Sequence, residues 1–384
     1  MCFDRGYQMI DTQIIQFEVI VLLITWTTLL YFQKSKTLNN DVDITYFTQF
    51  IKKNGGNHLS HLTYMQDKDV YWAQEKQVAF IYKIIANKAV VLGDPLGDQV
   101  LLKRALVEFN DYCQKAGIKP IYYQICPENM QYYHELGYTF RKIGEEGIVS
   151  LDTFSLTGKN GAKLRSTLNK FTRNSYTFRV LQPPYSKELL QELTSVSNNW
   201  LANKKEKGFS VVAYSDDYVS NFPIGVIEES NGRIVAFATI ATDYKNNVTI
   251  DLMRKHQESP AGTMDVMFVH ILNWAKGNGY NSCSLGMAPL ANVGQSKDAF
   301  FSEKLLRIAY EKGNKYYNFK GLFYFKTKFA TNWEPKYVAY TKSPFPVILL
   351  QLMMLINSDA NRKPKLSIDM IKKLFLIKKE GGLS

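Results

Sequence analysis

Two lysines set among aromatic residues are the first candidates for chemistry. Lys326 and Lys328 fall in F-Y-F-K-T-K-F (323–329), where rings can shield an ammonium so that it binds a developing oxyanion or a phosphate strongly. In the plainer reading both only snorkel from an aromatic helix into solvent. A second feature is a tract without acids. From Thr153 to Lys187 the chain carries Lys159, Lys163, Arg165, Lys170, Arg173, Arg179 and Lys187 and no Asp or Glu, a pattern suited to a polyphosphate backbone or, equally simply, to a solvated face. Leu164, Leu168 and Phe171 recur within it at helical spacing, which predicts a helix over Ala162 to Arg173 with this stripe inward and the cations outward. A third is Asp251 with Arg254, an acid and a base closing a predicted strand just before a P-A-G loop (260–262); a structural ion pair would account for them equally.

Other chemistries lack their residues. No G-x-S-x-G elbow and no Cys/His pair marks a covalent nucleophile. Cys2, Cys113, Cys126 and Cys283 lie far apart with no C-x-x-C, so neither a zinc site nor a disulfide framework is expected, and a reducing compartment fits. The histidines form no H-E-x-x-H, and the His58/His61 pair sits in a Gly-Asn-rich turn without Cys or an acidic cluster; no metal is assigned.

The elements that must position these residues come next. A chain of 384 residues is long for a single core, and two similar halves would satisfy the length. Apolar content of 46% with 21% charged residues describes a folded protein, and a net charge of +12 turns it toward anionic partners. A repeat supports two halves. Ala79-Phe80, Pro95-Leu96-Gly97, Gly117 and Pro127 are echoed by Ala236-Phe237, Pro260-Ala261-Gly262, Gly279 and Pro289, at offsets of 157, 165, 162 and 162 residues. Each half reads as a hairpin (Val78 to Ile85 with Ala89 to Leu92; Arg233 to Thr242 with Asn247 to Met253), a loop, a helix (Gln99 to Lys115; Thr263 to Lys276) and a further strand. The fold class expected is mixed α/β.

Hairpins that open onto a glycine loop and a helix N-terminus resemble the core of GNAT-type acyltransferases, in which the helix start presents backbone N–H groups to the acyl donor. The loops G-D-P-L-G-D (93–98) and E-S-P-A-G-T (258–263) lack the consecutive glycines that cradle coenzyme A, so no cofactor is expected. L-G-D-P-L-G (92–97), K-L-R-S-T-L-N-K (163–170), D-L-M-R (251–254), S-L-G-M-A-P-L (284–290), F-K-T-K-F (325–329) and W-E-P-K-Y (333–337) together resemble the catalytic domain of the phosphatidylglycerol lysyltransferases, the multiple peptide resistance factors, over roughly 41 to 340.

That resemblance implies tandem GNAT-like folds and transfer of an amino acid from aminoacyl-tRNA to the glycerol hydroxyl of phosphatidylglycerol. It implies lysyl-tRNA as donor, with alanyl-tRNA the second choice, and a membrane made less attractive to cationic antimicrobial peptides. Ester exchange of this kind needs alignment, a proton acceptor and oxyanion stabilisation. Family matching puts Asp251, Arg254 and Lys326 in catalysis, and Tyr218, His61 and Lys328 near the substrates. Lys163, Arg165, Lys170 and Arg173 are then expected on tRNA or phosphate. An aspartate at its ordinary pKa is a weak base and the nearby Arg254 would lower it further, so Asp251 is read either as part of proton transfer or as a holder of the amino acid's ammonium, with Arg254 on the lipid phosphate and the proton left to the substrate amine or tRNA ribose. Asp265 is left to the helix dipole.

Ile14 to Phe32 is a nineteen-residue apolar run with one charge, long enough at about 1.5 Å per residue to span a bilayer. Lys34 and Lys36 behind it place the catalytic part on the cytoplasmic side of the cell membrane. The expected organisation is 1–37 tail and anchor, 41–157 first GNAT-like domain, 158–180 basic linker helix, 181–343 second and catalytic domain, and 344–384 a basic tail apposed to the membrane, with Val347 to Ile356 lying on it. Family members carry a multi-span flippase domain ahead of the synthase, so a separate flippase is a possible partner. A Fem-type peptidoglycan aminoacyl ligase and a non-enzymatic tRNA- or membrane-binding protein are the competing readings.

Overall fold

The computed structural model describes residues 42–159, 161–202, 204–312 and 318–358. The apolar run 14–32 and the basic tail beyond 358 lie outside them, and among the described residues no helix is long and apolar enough to cross a membrane.

The chain opens with α1 (Ile44–Asn54), whose N-cap Asp43 accepts from the Tyr46 amide. There follow β1 (Asp69–Ala73), β2 (Val78–Ile85), β3 (Lys88–Leu92) and the short β4 (Leu96–Gly97). Then come α2 (Leu102–Lys115), β5 (Lys119–Ile125), α3 (Met130–Glu135) and β6 (Thr139–Ser150). The acid-free tract supplies α4 (Ala162–Arg173), which buries Leu164 and Phe171 and leaves Lys163, Arg165, Lys170 and Arg173 outside, as its periodicity requires. After it lie β7 (Thr177–Leu181), α5 (Lys187–Leu201), α6 (Asp216–Val219), β8 (Ile224–Glu228), β9 (Ile234–Thr242) and β10 (Asn247–Lys255). The chain continues through α7 (Thr263–Gly277), β11 (Ser282–Pro289), α8 (Phe301–Lys312), α9 (Phe319–Thr327), β12 (Asn332–Tyr340) and α10 (Phe345–Ile356).

The protein is mixed α/β, built on one continuous sheet in the order β1-β2-β3-β5-β12-β6-β11-β10-β9-β8-β7, with β4 on β2. The repeat has a structural counterpart. Hairpin β2/β3 leads through α2 to β5, parallel to β3, and hairpin β9/β10 leads through α7 to β11, parallel to β10. The first helix starts at Leu102 because Gln99–Leu101 form a 3-10 turn ahead of it.

One strand crosses between the halves. β12 lies between β5 and β6, antiparallel to both, and β6 pairs with β12 on one side and β11 on the other. The division at the basic tract therefore runs along the chain but not across the sheet, and the inner edges of both halves are closed by pairing. Helix α7 is apolar almost all round, with Val266, Met267, Phe268, Val269, Ile271 and Leu272 buried, so it forms the middle of a core. The apolar run at 347–356 is also core. In α10, Val347, Ile348, Leu352, Met354 and Leu355 are buried, and Phe345 stacks on Tyr340 at 5.6 Å. Its apolar face meets protein rather than lipid because β12 and the first core cluster lie against it.

Candidate active site

Two parallel strands part company at the centre of the sheet. β10 and β11 pair at Asn247↔Ser282, Val248↔Cys283 and Thr249↔Ser284, and there the ladder between them ends. Beyond that point each strand follows its other neighbour through an irregularity, β10 with β9 between Ile250 and Met253, and β11 with β6 between Ser284 and Met287. A wedge results between the two strands.

Lys326 closes one side of it. Its ammonium, 6% exposed, reaches in from α9 and donates to the carbonyls of Gly286 (3.0 Å) and Met287 (2.9 Å). Gly286 has φ +72, a conformation that turns these carbonyls together and that side chains with a Cβ rarely adopt. Burial lowers the Lys326 pKa to about 8, and Asp251 and Glu146 keep it from falling further.

Asp251 stands two residues past the last β10/β11 pair. Burial raises its carboxyl to about 6, although Lys326, Arg254 and Lys68 all pull it down. The expectation of an ordinary or depressed aspartate is thereby corrected, since desolvation outweighs three cations. Its side chain keeps 30% exposure, so the acid is enclosed and still reachable.

His61 and Tyr218 join Asp251. The Tyr218 hydroxyl lies 2.7 Å from His61 Nδ1, and His61 Nε2 lies 3.8 Å from Asp251 Oδ2. Burial holds the imidazole at about 3 and drives the Tyr218 phenol well above its usual range, so both are neutral near pH 7. In the tautomer with the His61 proton on Nε2, facing the carboxylate, Nδ1 accepts from the Tyr218 hydroxyl. Two residues that the resemblance puts near the substrates are thus gathered at the acid, His61 beside it and Tyr218 behind His61.

Arg254 does not pair with Asp251. Its Nη2 forks onto Glu206 (2.9 and 3.1 Å), Nε meets Ser197 Oγ (3.3 Å) and Nη1 donates to the Met253 carbonyl (3.1 Å). Lys328 points elsewhere too, gripping Asp265 at 2.7 and 2.9 Å at the start of α7. Of the α4 cations, Arg165 bonds the Leu156 and Gly158 carbonyls, and the helix packs on α7.

A buried network behind Lys326 was not foreseen. Glu146 of β6 pairs with Lys336 of β12 at 2.7 Å, lies 3.3 Å from His58 Nδ1, and accepts from Ser284 Oγ, which itself accepts from the Gly286 amide at 3.0 Å. Burial alone would raise the Glu146 carboxyl, but His58 and Lys336 hold it below the usual range. The chain Lys336–Glu146–Ser284–Gly286 thus fixes the turn that receives Lys326. His58 Nε2, buried, has no hydrogen-bond partner among the described residues. Ser284 and Lys336 lie inside two of the quoted motifs, which was the available signal; Glu146 and Glu206 offered none.

Comparison with known proteins places the chain in one family. The family model described as phosphatidylglycerol lysyltransferase, C-terminal, matches residues 48–340. The phosphatidylglycerol lysyltransferase of Bacillus subtilis is 39% identical over 317 residues, which are 82% of this chain and 37% of that protein. That of a Staphylococcus aureus strain is 37% identical over 325 residues, 84% of this chain and 38% of the relative. The chain therefore spans less than half the length of these relatives. The structure of L-PGS from Bacillus licheniformis superposes with a TM-score of 0.76 at 38% identity, covering 84% of this chain and 100% of that one. The chain belongs to the phosphatidylglycerol lysyltransferase C-terminal family.

Proposed function

We propose that this chain transfers lysine from lysyl-tRNA to the glycerol hydroxyl of phosphatidylglycerol. The observation that carries the reading is the wedge between β10 and β11, with a carboxyl raised to about 6 and an ammonium lowered to about 8 at the same opening. Ester exchange near pH 7 is served by a base with useful strength and a cation that stays charged.

In this reading Asp251 takes the proton of the lipid hydroxyl as its oxygen attacks the aminoacyl carbonyl. Lys326 stabilises the tetrahedral oxyanion. Collapse breaks the bond to the tRNA ribose oxygen, which receives the proton from Asp251, so no covalent enzyme intermediate forms. His61, oriented by Tyr218, holds the carboxylate through Nε2–H as the two draw together from 3.8 Å. Arg254 takes the lipid phosphate, which requires displacing Glu206 from its guanidinium. Lys328 neutralises Asp265 and orders the start of α7, where the aminoacyl end enters. Lys163, Arg165, Lys170 and Arg173 contact the tRNA backbone.

We read the two hairpin–helix–strand units as tandem GNAT-like folds, 41–157 and 181–343, joined through 158–180 and held at the cytoplasmic face of the cell membrane by 14–32. The test is to incubate the chain with labelled lysyl-tRNA and phosphatidylglycerol vesicles. Labelled lipid that vanishes on ribonuclease pretreatment of the donor is expected; no labelled lipid from either lysyl- or alanyl-tRNA refutes the activity.

A further inference from the structure

A surface helix normally turns its apolar side chains to the core. Helix α8 turns several away from it. Phe301, Leu305 and Ile308, spaced at i, i+4 and i+7 on one side, are 76%, 48% and 45% exposed, while Leu306 on the other side is buried. Phe300, just ahead, is 60% exposed with the Arg141 guanidinium 4.1 Å from its ring. Helix α9 is held against α8 by Tyr310 and Phe319, whose rings are 6.2 Å apart, and Tyr310 lies half a turn round α8 from Phe301, so α9 packs behind this stripe. Four of the eight exposed large apolar side chains among the described residues, Phe300, Phe301, Leu305 and Ile308, lie in it.

Its border is mainly cationic. Arg141 at Phe300 and Lys304 and Arg307 of α8 border it, with Glu311 bonded to Arg307 at 2.8 Å and Glu303 bonded to the Lys142 amide. Aliphatic and aromatic tips inside a basic rim suit the boundary between anionic headgroups and acyl chains. RNA offers no apolar phase for Leu305 and Ile308, and a second copy would bring the same cations against themselves.

We propose that the outward face of α8 is the docking surface for an anionic phospholipid bilayer, with Phe301, Leu305 and Ile308 entering its acyl boundary. The consequence for the site is geometric. Helix α9, which carries Lys326, packs on the inner side of α8, so a bilayer met by the outer side of α8 lies on the side of the site that Lys326 closes. This rests on the lipid-acceptor reading above for its purpose, but not for its measurement.

The experiment uses the full chain. In Phe301→Ser/Leu305→Ser/Ile308→Ser, lysyl transfer to phosphatidylglycerol vesicles should fall by at least about tenfold, while transfer to short-chain phosphatidylglycerol below its micellar concentration stays within about twofold of the parent. In a second arm, Leu305→Cys carries an environment-sensitive fluorophore, with Cys2 and Cys126 changed to Ser. Its emission should shift to the blue with phosphatidylglycerol vesicles, and a label at Val100→Cys, also exposed but far along the chain from this face, should not respond. Unchanged transfer to vesicles, or a label at 305 indifferent to them, overturns the proposal. So does a shift produced by tRNA alone, or by raising protein concentration without lipid, which would assign the face to RNA or to a second copy. If neither lipid is lysylated, the enzymatic reading fails, and the label at 305 still decides the docking surface.

Discussion

Asp251 provides the most discriminating test. With its carboxyl at about 6, the basic form makes up about nine-tenths of the protein at pH 7 and about a tenth at pH 5. A carboxyl at the ordinary 3.8 would remain more than about nine-tenths ionised at pH 5. Single-turnover lysyl transfer, followed with labelled lysyl-tRNA and saturating phosphatidylglycerol, should therefore drop about tenfold between pH 7 and pH 5. Asp251→Asn should lower the rate by about 10²–10⁴ and abolish this acid limb. The same substitution should stabilise the fold. Because the folded value lies above the unfolded one, ionisation costs stability as pH rises from about 4 to about 6, and that cost is complete at neutral pH. Asn removes it, a gain of about 1 kcal/mol after allowing for the group's partial exposure, read as a higher denaturation midpoint. An acid limb near pH 4 would show that burial does not raise this carboxyl, and a full rate in Asp251→Asn would show that it is not the proton acceptor.

The alkaline side belongs to Lys326: the rate should fall above about pH 8 as the ammonium deprotonates, and Lys326→Met should cost about 10²–10³ and remove that limb. Tyr218→Phe takes away the donor to His61 Nδ1; a fall of about tenfold in kcat with unchanged KM for both substrates is expected, and a purely structural role would appear instead as a lowered melting temperature. Lys336→Met leaves Glu146 charged and buried without its cation, at a cost of about 3–5 kcal/mol by urea titration, much of it recovered in Glu146→Gln/Lys336→Met. Replacing Lys163, Lys170 and Arg173 by Ala should raise KM for lysyl-tRNA and flatten its salt dependence while kcat holds, measured between low and moderate salt.

Local periodicity made much of the fold legible. The helix at Ala162–Arg173 starts and stops where its stripe of Leu164, Leu168 and Phe171 predicts, and the two hairpin–helix–strand units lie near their landmark residues, because helix and strand faces are written at spacings of a few residues. Lys326 and Asp251 were each visible as candidates for the same reason, one by its aromatic setting and one by its place at a strand end. What spacing could not convey was company. His61, Tyr218, Asp251 and Lys326 come from four separated segments, and their meeting depends on β10 and β11 parting after Thr249 and Ser284, a matter of long-range register.

The same limit explains the misplaced partners. Arg254 beside Asp251 in sequence suggested an ion pair, but Glu206 takes the guanidinium, and the neighbouring charge that should have depressed the aspartate is outweighed by burial. The run at 347–356 and the stripe on α8 show the converse. Both are apolar and of helical length, yet one is packed under β12 and the other faces outward, since which surfaces remain uncovered is settled only when the sheet closes. By itself the order of residues determined which segments are helix or strand and which side chains are capable of chemistry; the tertiary structure decided which of them share a site and in what charge state, because desolvation and strand register are properties of the assembled surroundings rather than of neighbours along the chain.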